Sequence, residues 1–366
     1  MESGPDPVQM QLRRALRAGL AGVAAKPGVR GAPASDGPAS PAHELLTELG
    51  APRYEMPVDV GGLDLGLAAG VTVSEELGRA ACGNPYRAIA CTADAAIASG
   101  RPDVLERLFS GTTVATAGME ALPAGSAIQA RRSGDGWELN GTVTVDAADA
   151  DLIALFARVR GTAVLALLPS GAAGIKWHTG RWPYALQLTD VQAAGPDLLR
   201  RVETPAAGML ARARVRQAAY LLGLASGMYD AAVRYTGVRR QFGGRLRDLQ
   251  AVSFPLARAA VALRVTRILL YRAVWLVETG KPSTAPVEAL AQAADALTDV
   301  ARLTMQACGS RSMTSQLPLH RYYRLAAAEP VCYGSPGLLW QLVGATAVAE
   351  AVAEAAAVRS EASYMD

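Results

Sequence analysis

One stretch of this sequence reads Val238-Arg239-Arg240-Gln241-Phe242-Gly243-Gly244-Arg245-Leu246-Arg247-Asp248-Leu249-Gln250 and lies between two long segments rich in Ala, Leu and Arg. The segments on both sides have helical periodicity, and the paired glycines interrupt it because glycine lowers helix stability and favours turns. The stretch therefore predicts a turn between two long helices, with an arginine, an aromatic ring and a glutamine at fixed spacing.

This spacing closely resembles the motif R-x-Q-F-G-x-x-[LI]-x-x-x-Q of the acyl-CoA dehydrogenase family. Further segments resemble other family motifs in the same order: Pro57 to Leu67 is similar to P-x-x-x-G-G-x-G-x-G-L, Gln306-Ala307-Cys308-Gly309 to the start of Q-x-x-G-G, and Arg321-Tyr322-Tyr323-Arg324 to R-Y-Y-R-D-A. The resemblance covers roughly residue 43 to the C-terminus. It implies the fold of that family, which is of the α+β class.

The resemblance also implies a set of FAD-binding residues that reach across a dimer interface to the cofactor of the neighbouring subunit: Arg239, Phe242, Gln250, Gln306 and Gly309. The chemistry suits a dinucleotide, because a guanidinium fork matches a pyrophosphate and glutamine amides satisfy polar groups. Taken singly, Arg239 has the ordinary alternative of a solvated helix-end charge, and Phe242 that of core packing. Their joint spacing favours the cofactor role.

The catalytic carboxylate of the family is missing from its usual position. Family members place a Glu in a Y-E-G-T/S loop, and the corresponding residue here is Tyr333, within Cys332-Tyr333-Gly334-Ser335. A phenol has an unperturbed pKa near 10 and is a poor general base at neutral pH. Glu329 is a weak candidate for the base, with an exposed or salt-bridged carboxylate as the ordinary alternative. The position used by a few other members falls on Ala213.

The middle of the chain departs from the family where it would face the flavin ring. The motif T-E-P-x-x-G-S-D appears here as Met119 to Ala127, one residue longer, with Ser126 kept as a cofactor-binding candidate. The motif N-G-x-K-x-W-I-T appears as Asn140 to Ala147 without its Lys, Trp and Thr. The residues for a subunit's own flavin ring are thus eroded, whereas those for a partner's FAD are kept.

The pattern of helical and β-branched segments predicts four units along the 366 residues. Residues 1–42 form an N-terminal helix, from Pro7 to about Ala25, and a flexible linker. Residues 43–111 form an N-terminal helical domain. A middle β-barrel-like domain follows over 112–205, where Gly134-Asp135-Gly136 supplies a hairpin turn. Residues 206–366 form a C-terminal helical bundle that carries the FAD clamp and the oligomer interface.

Composition excludes several classes of protein. The chain has 36 basic and 33 acidic residues without a long basic run, which gives no indication of nucleic-acid binding. Its four cysteines and three histidines show no metal-ligand spacing, so we expect no metal site. No apolar run reaches the roughly 20 residues that a membrane span requires, and we expect a cytoplasmic protein.

The resemblance implies desaturation of an acyl-CoA or another acyl thioester, with electrons passed to an acceptor such as electron-transfer flavoprotein. The first hypothesis is a subunit without its own base, inactive alone, that supports the FAD of an acyl-CoA-dehydrogenase-like partner, as in actinobacterial heteromeric enzymes. The second is a homo-oligomeric flavoenzyme with altered chemistry on an acyl thioester. The third is a flavin-free scaffold of the same fold.

Overall fold

The computed structural model describes residues 7–25, 40–118, 128–145, 147, 150–160, 162–180, 184–193 and 203–362. It has helical N-terminal and C-terminal parts with a curled sheet between them, which confirms the predicted fold class. Most of the predicted linker and the segment that contains Ser126 lie outside the described residues. The unit boundaries drawn from the sequence stay predictions.

The N-terminal part consists of α1 (Pro7–Ala25), α2 (Pro41–Glu48), α3 (Gly66–Arg79), α4 (Pro85–Ser99) and α5 (Pro102–Phe109). The first helix has the bounds that the sequence predicts. Proline opens α2, α4 and α5, where its missing N–H leaves no hydrogen bond unmade. Ser40 caps α2 by accepting a hydrogen bond from the His43 N–H at 3.1 Å.

The middle of the chain forms a seven-stranded sheet of β1 (Ala115–Ala117), β2 (Gln129–Ser133), β3 (Gly136–Val145), β4 (Leu152–Val159), β5 (Thr162–Pro169), β6 (Ile175–His178) and β7 (Tyr184–Ala193). Strands β1 and β2 both run parallel to β4, and the other pairs are antiparallel. The hairpin turn after β2 lies at Gly134, as predicted, with a φ of 57°. Alternate residues of β7 are buried, as a sheet with one covered face requires.

The C-terminal part consists of α6 (Glu203–Val238), α7 (Gln250–Glu278), α8 (Ala285–Cys308), α9 (Leu319–Ala328) and α10 (Pro336–Ala362). A short hairpin of β8 (Arg240–Gln241) and β9 (Gly244–Arg245) connects α6 to α7. Helix α6 is buried on all sides over much of its length, because α3, α7, α8 and α9 surround it. Among the described helices, none is both long and apolar enough to cross a bilayer.

Two glycines allow α3 and α6 to touch backbone to backbone. A Cβ atom on Gly78 would lie 2.2 Å from the carbonyl oxygen of Tyr220, and one on Gly223 would lie 2.1 Å from that of Glu75. Glycine usually destabilises a helix interior, so its presence at both contact points has a packing reason. This contact fixes how deeply α6 lies in the protein.

We expect Gly223→Ala to lower the free energy of unfolding by about 1–3 kcal/mol or more, because the added methyl group forces the two helices apart. Gly344→Ala in α10 is the matched control. Among the described residues, no atom beyond its own helix backbone and chain neighbours lies within 4 Å of its Cβ position, so that variant should be stabilised by about 0.5–1 kcal/mol. Denaturant unfolding of both variants measures the difference, and equal effects would contradict the contact.

Candidate functional site

The hairpin between α6 and α7 presents the predicted FAD clamp at the surface. The Arg239 N–H donates to the Tyr235 carbonyl at 2.9 Å, and the Leu246 N–H donates to the Arg239 carbonyl at 2.9 Å, which closes the hairpin. Phe242 and Gly243 form its tip, with φ values of 52° and 80°. Positive φ at both central residues is what a type I′ hairpin turn requires.

Phe242 is an unusual residue for this tip. Type I′ turns favour Asn-Gly, and a left-handed backbone costs an ordinary L-residue about 1–2 kcal/mol. The Phe242 side chain is also 87% exposed, so it gains little from packing within this chain. A residue that is both strained and exposed indicates a role outside the fold of its own chain. The alternative of core packing is therefore wrong for Phe242.

The other predicted clamp residues lie at helix ends next to the surface. Gln250 is the first residue of α7 and is exposed, and Arg239 follows α6 and is half-buried. Gln306 lies exposed in the last turn of α8, and Gly309 ends that helix with a φ of 59°. The structure thus joins Arg239, Phe242 and Gln250 in one connection and puts Gln306 and Gly309 at the end of another helix.

Tyr333, in contrast, is buried. Its side chain is 1% exposed, and its hydroxyl lies 3.4 Å from the Cys91 Sγ of α4. Its backbone has a φ of 60°, again a left-handed conformation, and the next residue is Gly334 with a φ of 139°. The predicted loop therefore exists, and it points the phenol at a thiol inside the protein.

Glu329 forms a buried ion pair. Its two carboxylate oxygens accept hydrogen bonds from Arg87 Nη2 at 2.9 and 3.1 Å, and Gln217 Nε2 donates to it at 2.9 Å. The residue is 1% exposed. Burial, followed by the charge of Glu329, raises the pKa of Tyr220 well above its usual value. The structure thus shows Glu329 as a salt-bridged carboxylate, which was the alternative to a role as the catalytic base.

Strand β1, which precedes the Ser126 segment, and strand β3, which carries most of the second flavin-wall motif, meet near the Tyr333 loop. Gly118, the last described residue before the Ser126 segment, forms a β-bridge with Val145, and the Ala147 N–H donates to Thr116 Oγ1 at 3.1 Å. A cavity of about 10 Å³ lies here, which is room for about one water molecule. The described residues that line it are Cys91, Asp94, Ala117, Gly118, Ala154, Phe156 and Met209.

Helix α6 carries three arginines next to this cavity, and two of them form ion pairs with carboxylates. Arg216 donates to Glu55 at 2.6 and 2.9 Å and to Asp94 at 2.7 Å, and Arg212 donates to Glu55 at 2.7 Å and to Asp94 at 3.2 Å. Burial lowers the pKa of Arg216, but the charges of Asp94 and Glu55 outweigh it and raise the pKa well above the usual value. This network ties α6 to α4 and to the turn that contains Glu55.

Arg214 lies between these two residues and has no carboxylate partner among the described residues. Its Nε donates to the Tyr333 carbonyl at 3.1 Å, and its buried Nη2 lacks a hydrogen-bond partner in the described part of the chain. Burial lowers the pKa of Arg214 to about 10. Because folding lowers this pKa, the charged side chain opposes folding at neutral pH.

Two substitutions on one helix should therefore change stability in opposite directions. We expect Arg214→Met to raise the free energy of unfolding by about 1–2 kcal/mol, since a pKa change of one unit corresponds to about 1.4 kcal/mol and the lost hydrogen bond offsets part of the gain. Arg216→Met should lower it by about 3–5 kcal/mol, because Glu55 and Asp94 lose a buried partner. Denaturant unfolding at pH 7 tests both, and a destabilised Arg214→Met variant contradicts the account.

Sequence reasoning missed several residues around the Tyr333 loop, namely Arg87, Cys91, Arg214 and Gln217. A usable signal was the run Arg212-Ala213-Arg214-Val215-Arg216, whose alternate arginines cannot all share one helix face. Among the residues that the structure describes, no group of three His, Cys, Asp or Glu side chains is arranged to hold a metal ion.

Comparison with known proteins shows similarity to acyl-CoA dehydrogenases well beyond the hairpin between α6 and α7. Residues 204–348 match the family model described as acyl-CoA dehydrogenase, C-terminal domain. The chain is 29% identical to benzylmalonyl-CoA dehydrogenase of Aromatoleum aromaticum over 317 residues, 76% of this chain and 82% of that protein. It is 26% identical to glutaryl-CoA dehydrogenase of Desulfococcus multivorans over 340 residues, 81% and 85% of the two chains.

The fold is also that of a chain in the ChsE4–ChsE5 complex of Mycobacterium tuberculosis. The TM-score is 0.83 at 21% identity, and the match covers 95% of this chain and 99% of that one. The likeness in fold thus includes the N-terminal helices, the sheet and the C-terminal bundle.

Proposed function

The chain belongs to the acyl-CoA dehydrogenase family, and from this we propose that it is a subunit that clamps the FAD of a partner subunit without catalysing desaturation itself. The observation that carries the proposal is a contrast in exposure. The residues for a partner's FAD lie at the surface, with Phe242 87% exposed, whereas the loop at the family's base position is sealed, with Tyr333 1% exposed.

The surface residues fit an FAD that another chain holds. Arg239 offers a guanidinium for two hydrogen bonds to the pyrophosphate, and the strained hairpin already holds the Phe242 ring away from its own chain. Gln250 and Gln306 add exposed amides at helix ends. These groups bind and orient the cofactor, which when bound accepts the hydride from the acyl β-carbon.

The described part of the chain's own ring site does not fit a flavin. The cavity at the junction of α4, α6 and the sheet has room for about one water molecule, and its lining includes Cys91, Asp94 and Phe156. The Trp and Thr of the family's flavin wall are replaced by Val145 and Ala147. A flavin bound within this chain is therefore not part of the proposed function.

No described side chain near the Tyr333 loop is available to take the α-proton of an acyl thioester. The Tyr333 hydroxyl faces Cys91. Glu329 is held by Arg87 and Gln217, so using it as a base would break a buried ion pair. Asp94, which lines the cavity, is held by Arg212 and Arg216 in the same way. Ala213 has no titratable group. The partner subunit therefore supplies the base and the flavin-ring site, and the substrate is an acyl thioester bound to the partner.

A two-chain arrangement has a precedent in fold, because the ChsE4–ChsE5 complex joins two differently named chains and one chain of that complex matches this one throughout. We place the assembly in the cytoplasm, with an electron-transfer flavoprotein as the acceptor. Two alternatives are distinguished by the purified protein. A chain that holds flavin alone is a homo-oligomeric flavoenzyme with altered chemistry, and one that holds none in any assembly is a scaffold.

We expect Arg239→Ala to weaken FAD retention by the co-purified complex roughly ten- to a hundredfold, because the pyrophosphate loses a charged hydrogen bond of about 1.5–3 kcal/mol. Flavin absorbance per complex after gel filtration is the measurement. Arg247→Ala is the matched control, since Arg247 is exposed and lies in the same connection but outside the family's cofactor positions. Equal flavin content in the two variants would return Arg239 to the alternative of a solvated helix-end charge.

Phe242→Asn should separate cofactor binding from stability. Asparagine suits the left-handed tip of the hairpin, so the isolated chain should gain about 0.5–1 kcal/mol in free energy of unfolding. The complex should lose flavin because the aromatic contact is gone. A variant that is stabilised and keeps its flavin would show that the ring has no part in cofactor binding.

A further inference from the structure

Helix α7 has an exposed face that combines large apolar side chains with arginines. The apolar members of this face, which we call the α7 stripe, are Phe254, Val261, Val265, Ile268 and Trp275. They follow the spacing of one helix side, and the opposite side packs inward through Leu256, Leu263 and Leu270. From Phe254 to Trp275 the stripe is about 32 Å long at 1.5 Å per residue. It is long enough to pair with a whole helix.

Arginines lie within and beside this stripe, and they are poorly compensated. Arg258 and Arg272 project from the same helix side as Phe254, and Arg264 lies at the edge. Arg272 pairs with Glu288 at 2.7 Å, whereas Arg258 and Arg264 have no ion pair among the described residues. The surrounding residues 231–280 contain nine arginines and two carboxylates, a net charge of +7, while the whole chain has +3.

The stripe is nearly symmetric about its middle, and this symmetry decides what can pair with it. The centre lies between Arg264 and Val265. Phe254 and Trp275 are equally far from it along the helix, and so are Val261 and Ile268. The distances of Arg258 and Arg272 from the centre differ by one residue. In a two-fold pair of antiparallel helices, residues equidistant from the centre face each other. Apolar side chains would thus face apolar side chains, which suits a helix of the same pattern.

The same symmetry opposes pairing with a second copy of this chain. Arg258 would face Arg272 of the copy twice, and at each contact Glu288 offsets only one of the two positive charges. Arg264 would lie beside its own counterpart on the axis. Like charges enclosed by an apolar stripe are screened less than exposed ones, and their repulsion is a common device for excluding a wrong partner. The apolar pattern therefore favours a related helix, and the charges exclude an identical one.

We infer that the α7 stripe pairs with the corresponding helix of a second, different chain of the same fold that has carboxylates opposite Arg258 and Arg264. This inference rests on the proposed function, since the FAD clamp needs a partner, and it adds the chemistry that selects the partner. A helix with the same apolar spacing and acidic residues in place of the arginines satisfies both conditions.

The full-length chain alone tests this inference through its self-association. We expect the wild type to self-associate weakly at low salt and more strongly as salt shortens the screening length from about 10 Å at 0.1 M to about 3 Å at 1 M. Arg258→Glu turns two facing pairs of like charge into pairs of opposite charge, so its self-association should be about tenfold tighter and should weaken with salt. Sedimentation measures both.

Matched variants make the result specific to charge and position. Arg258→Gln should lie between wild type and Arg258→Glu, and Arg258→Lys should behave like the wild type. Arg132→Glu, an exposed reversal on β2, should leave self-association unchanged. Circular dichroism and thermal unfolding are the controls for the fold, and all of these exposed substitutions should leave both unchanged.

The inference would be overturned if the wild-type chain formed a tight dimer at low salt and Arg258→Glu left the stability of that dimer unchanged or lowered it. Binding of wild type to anionic phospholipid vesicles that Arg258→Glu abolishes while self-association stays constant would overturn it too, because the face would then serve a membrane surface. Flavin retention is a separate readout. If the wild type forms a tight homodimer and Arg239→Ala lowers its flavin content, the inference about the α7 stripe is wrong and the proposed FAD clamp stands. If self-association is weak and Arg239→Ala leaves the flavin content unchanged, the FAD clamp is wrong and the inference about the α7 stripe stands.

Discussion

The close contact between α3 and α6 is the constraint on which the rest of this structure depends. Gly78 and Gly223 bring the two backbones together, and this buries α6 among four other helices. Polar side chains on a helix in that position lose contact with water, and each is costly unless it finds a hydrogen-bond partner. Arg216 does so through Glu55 and Asp94, and Gln217 does so in part by donating to the backbone and side chain of Glu329.

The same helix places both halves of the candidate site. Near its buried end, Arg214 and Gln217 hold the loop between α9 and α10 by hydrogen bonds to the Tyr333 and Glu329 carbonyls at 3.1 and 3.0 Å. At its other end the chain leaves the core and forms the hairpin with Phe242 at its tip. One helix thus separates a sealed interior loop from the outward residues of the predicted clamp, and this separation supports the proposed binding in trans.

The sequence predicted the architecture well because its signals were local. The bounds of α1, the turn at Gly134 and the break at Gly243-Gly244 follow from glycine, proline and periodicity. The exposure of the clamp and the ion pair of Glu329 could not be predicted, because they depend on partners far apart in the chain. Arg87 and Glu329 are separated by 242 residues, and no local pattern links them. The strain at Phe242 was also hidden, since Gln241-Phe242-Gly243 does not resemble a favourable hairpin turn.

The central claim is that this chain completes a flavin site on another subunit and contains no working site itself. The most direct measurement is the ratio of FAD to chains, with reduction of that flavin by acyl-CoA, for the isolated chain and for its complex with a partner. The account predicts no flavin and no reduction for the chain alone, and one FAD for each pair of chains in an active complex. An isolated chain that binds one FAD per subunit and is reduced by an acyl-CoA would contradict it.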